Sequence, residues 1–93
     1  MPNPKAQFLQ ITFDFEGPPK IKELKPEFDK ALDWIRIAPN AWIVWTTSTP
    51  DQWYSRIKPR LGPKDHFFIL GIDNTIRHGW AEKWVWEWLD KKR

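Results

Sequence analysis

Residues 34–52 read Trp34-Ile35-Arg36-Ile37-Ala38-Pro39-Asn40-Ala41-Trp42-Ile43-Val44-Trp45-Thr46-Thr47-Ser48-Thr49-Pro50-Asp51-Gln52. Two apolar runs, Trp34 to Ile37 and Trp42 to Thr46, flank Ala38-Pro39-Asn40-Ala41. Proline presets its own φ and asparagine tolerates tight turns, so the runs are expected to fold back on each other as two strands. Thr49 can then cap free backbone N–H groups, Pro50 suits a first helical turn, and Gln52 completes a capping box. A strand pair leading directly into a capped helix places the middle of a small α+β sandwich.

Upstream, Gln7 to Glu16 alternates, with Leu9, Ile11, Phe13 and Phe15 on one side and Gln10, Thr12 and Asp14 on the other. That period of two predicts a half-buried strand, ended by Gly17-Pro18-Pro19. A helix is expected from Pro26, at a first-turn position, to about Asp33, with Phe28, Ala31 and Leu32 facing inward. Ile21 and Leu24 can add an earlier turn, but Pro26 argues against one unbroken helix from residue 20. Downstream, Trp53, Ile57 and Leu61 form a stripe on the second helix, stopped by Gly62-Pro63. His66 to Ile72 is apolar enough for a central strand. Gly71 and Gly79 read as turn or close-approach positions. The last helix is expected from about Trp80 to Lys91, with Ala81, Trp84, Val85, Trp88 and Leu89 facing the core and Trp86 on the opposite side.

The order strand, helix, strand, strand, helix, strand predicts an α+β, ferredoxin-like βαββαβ sandwich. Its sheet is four-stranded and antiparallel, with an extra C-terminal helix. The first and last strands are expected side by side at the centre. The sheet face away from the two helices can be covered by the C-terminal helix, a dimer partner or a ligand.

Composition sets limits on this reading. Ninety-three residues suffice for one domain, residues 1–93, with one core. The apolar runs are a few residues long, against the roughly 20 needed to span a bilayer, and residues 1–5 lack the apolar stretch of a signal peptide. No cysteine is present, which excludes disulfides, thiolate metal sites and cysteine nucleophiles. A cytoplasmic protein without a membrane partner is the expectation. The net charge of +3 and a pI near 9.3 permit a phosphate-bearing partner without requiring one. Arg56, Lys58, Arg60 and Lys64 surround the second helix and are candidate RNA or DNA contacts. Lys91-Lys92-Arg93 ends the chain, where basic residues also suit a helix C-terminus. There is no Gly-rich phosphate loop, no His-x-x-x-His pair and no serine with suitable His and Asp partners.

The pattern of Phe8 to Phe15 with Asp14 near the strand end resembles a known family, as do the Trp34 to Thr47 hairpin and the Thr49 to Leu61 helix. Asp65 to Gly71, Gly79-Trp80 and Trp88-Leu89 extend the likeness over most of the chain. The family comprises small ferredoxin-like proteins related to the CRISPR-associated adaptation endonuclease subunit, with its free-standing VapD-type and GhoS-type relatives. The C-terminal strand that the CRISPR subunit exchanges in its dimer has no counterpart here. The resemblance implies a homodimer and assigns Asp14 as a catalytic metal ligand shared across a two-fold axis, with Mg²⁺ or Mn²⁺ as cofactor. Two such carboxylates can hold the ion and orient a water against a phosphodiester. The antiparallel first and last strands should bring Asp65 and His66 near Asp14, as a second carboxylate or a general base. The competing reading is that Asp14 is a solvated strand-end residue.

Eight tryptophans in 93 residues serve first to fill a small core. Trp also acts as an interface anchor and a base-stacking platform. Trp86, off the core stripe of the last helix, and Trp45, which the resemblance to the free-standing relatives places on the sheet face away from the two helices, are candidate interaction residues. Two functions are thereby anticipated. One is nucleic-acid binding or processing, as a metal-dependent endoribonuclease of a toxin–antitoxin or phage-defence system. The other is a non-catalytic homodimer that grips a protein partner through a Trp-rich surface.

Overall fold

In the computed structural model, which describes residues 5–93, the first alternating segment forms strand β1 (Gln7–Asp14). It is followed by α1 (Ile21–Phe28), β2 (Asp33–Ala38), β3 (Ala41–Thr46) and α2 (Pro50–Ile57). A 3₁₀ turn at Lys58–Arg60 leads to β4 (His66–Ile72) and finally α3 (Lys83–Asp90). The four strands make one antiparallel sheet in the order β2-β3-β1-β4.

Alternation sorts the side chains onto two faces. Leu9, Ile11 and Phe13 of β1 and Trp42, Val44 and Thr46 of β3 are buried beneath α1 and α2, with Leu24, Phe28, Trp53 and Ile57. Phe28 of α1 stacks on Trp42 of β3, centroids 4.8 Å apart, and Trp53 of α2 stacks on Phe28 at 5.9 Å. Three large rings from three elements thus fill the centre, each burying roughly 150–250 Å². The Trp53 indole N–H donates to the Thr46 hydroxyl at 3.1 Å, which satisfies both groups inside the core.

The hairpin and α2 follow the sequence expectation. Pro39 and Asn40 make the turn, and Asn40 ties it to β1: its side-chain amide donates to the Phe13 carbonyl at 3.1 Å. The Phe13 N–H in turn donates to the Asn40 carbonyl at 2.8 Å. The capping box is complete, with the Gln52 N–H donating to Thr49 Oγ1 and the Thr49 N–H to Gln52 Oε1. Trp53 and Ile57 are fully buried, as their spacing predicts. The α-helix ends at Ile57 because Pro59 supplies no N–H, and the chain tightens into the 3₁₀ turn before Gly62.

Three expectations are corrected. First, α1 begins at Ile21 instead of Pro26 and contains that proline. Leu24 and Phe28, four apart, anchor the inward face, while the Leu32 N–H already donates to the Trp45 carbonyl and leads into β2. Leu32 is consequently exposed. The carbonyl of Lys22, which loses its donor at Pro26, lies on the exposed side where water can serve it.

Second, β4 lies beside β1 but at the edge of the sheet, and the central pair is β1 and β3. Its apolar run is explained by contributions to both faces: Phe67 and Ile69 pack toward the main core and Ile72 toward α3. Gly71 meets no neighbour that a side chain would strike, whereas a Cβ on Gly62 would lie 3.2 Å from Lys20 Nζ. Gly62 is therefore the close-approach position.

Third, α3 is shorter than expected and turned about its axis. Val85 and Trp88 are buried and Leu89 packs beside them, but Trp84 is about half exposed. This helix covers part of the second face of the sheet, packing on Phe8, Ile35, Ile43 and Trp45. Arg93 follows, with its guanidinium 4.3 Å from the Trp88 ring centroid.

Candidate functional site

The residues expected to carry chemistry separate into different environments. Asp14 and His66 are direct cross-strand partners at the end of β1 and β4, and both are exposed. Asp65, one residue earlier, turns away and is buried. Its carboxylate accepts a charge-assisted bond from Lys20, and N–H groups from Gly62 at 2.7 Å and Glu16 at 2.8 Å. The Lys20 bond, the Gly62 N–H and the Glu16 N–H, in that order, hold the Asp65 pKa down at about 2. With its oxygens engaged in this way, Asp65 ties the end of β1, the approach to α1 and the turn into β4 together. Its arrangement is that of a structural clamp. No group of three or more His, Asp or Glu side chains suited to a metal occurs among the described residues.

The basic candidates around α2 are partly engaged within the chain. Arg60 donates to Glu27 at 2.8 Å, and Lys30 meets the same carboxylate at 2.8 Å. Glu27 is buried on the inward side of α1, and the bonds from Lys30 and Arg60 lower its pKa against the opposing effect of burial. Arg56 lies over the Trp53 ring at 4.9 Å. Lys64 is 4.0 Å from Glu16, and Lys58 is exposed. The sequence placed these cations around one helix. The fold ties Arg60 to α1 through Glu27 and lays Arg56 against Trp53 of its own helix.

The tryptophan assignments also change. Trp45 lies on the sheet face away from α1 and α2, but Phe8 packs against it at 4.7 Å and Arg93 lies over it at 5.9 Å. Trp86 is half-buried, with the Arg77 guanidinium 5.6 Å from its ring and Gly79 alongside. The exposed indoles are Trp80, fully in solvent, and Trp84. They border a concavity of about 570 Å³ with Ile37 and Val85. Helical spacing had placed Trp84 toward the core, because the stripe could not indicate how far α3 turns on the sheet. A signal for Trp80 was present: it follows Gly79 and precedes the charged start of α3.

A further apolar feature is the outer edge of β4. By register, Phe68 and Leu70 stand opposite Thr12 and Gln10, beyond the area α3 covers, and are 54% and 53% exposed. Comparisons with protein-family models, curated proteins and solved structures returned no match.

Proposed function

We propose that this chain is a ferredoxin-like interaction domain that forms a homodimer through the free edge of β4, without catalysis of its own. The element order and the strand order β2-β3-β1-β4 support the ferredoxin-like assignment, as two interleaved β-α-β units. The observation that carries the functional reading is the unprotected edge strand. Exposed edges are ordinarily blunted by charge, proline or a bulge. The opposite edge, β2, has these devices: Asp33, Arg36, an irregular register at Arg36/Ala38, and Pro39 beyond it. From His66 to Ile72, β4 has no Lys, Arg, Asp, Glu or Pro, and its pairing with β1 is uninterrupted.

Two copies of β4 paired antiparallel about Ile69 would set Phe68 opposite Leu70 of the partner subunit. Cross-strand apolar pairs of this kind contribute about 0.2–1 kcal/mol each beyond the backbone ladder. The sheet would continue through eight strands, leaving Trp80 and Trp84 accessible for a protein partner. Sedimentation equilibrium tests this reading. Wild type should show a species of twice 11.2 kDa, and Phe68→Lys and Leu70→Lys, at exposed positions, should return it to the monomer. A monomeric wild type at high protein concentration would refute the edge dimer.

A second reading, nucleic-acid processing of the CRISPR-adaptation type, is favoured by the exposed Asp14–His66 pair. RNA and DNA cleavage with and without Mg²⁺ or Mn²⁺ tests it directly. Metal-dependent cleavage by wild type that is lost in folded Asp14→Ala would establish it, and inactivity of both proteins would leave the interaction domain. One feature weighs against the face-to-face dimer which that reading implies: α3 occupies part of the sheet face on which Asp14 lies, over Phe8, Ile35 and Ile43.

A further inference from the structure

On the other side of the molecule, where α1 meets β2, a cavity of about 370 Å³ is lined by Ile21, Lys25, Trp34, Arg36 and Trp42. That volume lies within the range of small-molecule sites, which are mostly apolar with a few polar groups to orient the ligand. Trp42 is buried and backed by the stacked Phe28 ring, so the floor is rigid and aromatic. Trp34 forms a wall, and its indole N–H is held by Asp29 at 3.0 Å. The same Asp29 carboxyl group receives Lys25 at 2.9 Å, so one acidic residue fixes both a wall and a rim cation.

Arg36 is the informative residue. In register it pairs with Trp42 and shares its side of the sheet, the side packed by the two helices. Arg36 is half-buried there, so water serves its charge only in part. The Arg36 side chain makes no hydrogen bond or ion pair among the described residues, and its guanidinium stands 5.9 Å from the Trp42 ring centroid. Packing on an indole leaves the donor edge of a guanidinium available, and that planar fork matches a carboxylate in two parallel bonds. Lys25 and Asp29 largely cancel, so Arg36 sets the charge of the site.

We propose that this cavity binds a planar bicyclic aromatic carboxylate, with its ring system between Trp34 and Ile21 on the Trp42 floor and its carboxylate on Arg36. The site is independent of the β4 edge and of the Asp14–His66 pair. Isothermal titration calorimetry with 2-naphthoate tests it, with the neutral 2-naphthamide as the charge control. Wild type should bind 2-naphthoate saturably at one site per chain, and 2-naphthamide at least tenfold more weakly. Arg36→Gln should weaken 2-naphthoate at least tenfold and leave 2-naphthamide unchanged. Ile21→Trp, which fills the cavity and keeps Arg36, should abolish binding of both. Absence of saturable 2-naphthoate binding, or equal affinity of wild type for the acid and the amide, would overturn the proposal. Because the comparison of acid with amide uses wild type alone, a variant that fails to fold leaves the proposal open to refutation.

Discussion

Replacing Thr46 with Val removes one hydroxyl from the core while keeping the side chain's shape. Thr46 Oγ1 accepts the Trp53 indole N–H at 3.1 Å and the Ser48 backbone N–H at 3.0 Å. Trp53 is fully buried, so its N–H would be stranded, at a cost of about 1–3 kcal/mol. Ser48 is half-buried and can turn to water, which limits its loss to roughly 0.5–1 kcal/mol. Together these give about 1.5–4 kcal/mol, a large part of the roughly 5–14 kcal/mol expected for a chain of this size. The melting temperature should fall by roughly 6–32 °C, at roughly 4–8 °C per kcal/mol. Urea denaturation of Thr46→Val, Trp53→Phe and the double variant isolates the bond. Trp53→Phe leaves no indole N–H to strand, so the double variant should cost about 1–2 kcal/mol less than the two single changes added together. A Thr46→Val within about 0.5 kcal/mol of wild type, or strictly additive changes, would refute the reasoning.

Trp88→Ala should destabilise by about 3–5 kcal/mol in urea, whereas Trp84→Ala, on the same helix but half exposed, should cost well under half of that. Thr49→Ala should lose about 1 kcal/mol, because the α2 capping box loses its side-chain acceptor. Asp65 has a pKa of about 2 in the folded chain against 3.8 ordinarily, so its stabilisation is fully present above about 3.8 and is lost as pH falls through about 2. Thermal melts should show Asp65→Asn less stable than wild type near neutral pH, with the gap closing as pH falls through that window. A gap that stays constant across it would show that the carboxylate's charge is not what clamps the β1 and β4 ends.

Residues adjacent in sequence determined much of this protein. The β1 alternation, the Pro39-Asn40 turn, the Thr49 cap and the Trp53/Ile57 stripe depend on geometry within a few residues, and they were legible before any contact was known. Cross-strand reasoning also foresaw that Asp14 would meet His66. The tertiary structure decided which surfaces those elements present. An apolar heptapeptide reads the same in a central strand as in an edge strand that packs on both sides, so only pairing could place β4 at the edge and expose Phe68 and Leu70. A helical stripe fixes spacing but not rotation, so only the seating of α3 on Ile35 and Ile43 could bury Trp88, expose Trp84 and shelter Trp86. Asp65 appeared as available for chemistry as Asp14 until Lys20, Glu16 and Gly62 converged on it from separate segments. Arg36 lies within the Trp34 to Ile37 run, and only register with Trp42 sets it on the side of the cavity beside α1. Local sequence encodes conformation, whereas burial, charge pairing and exposure belong to neighbours that only the folded chain brings together.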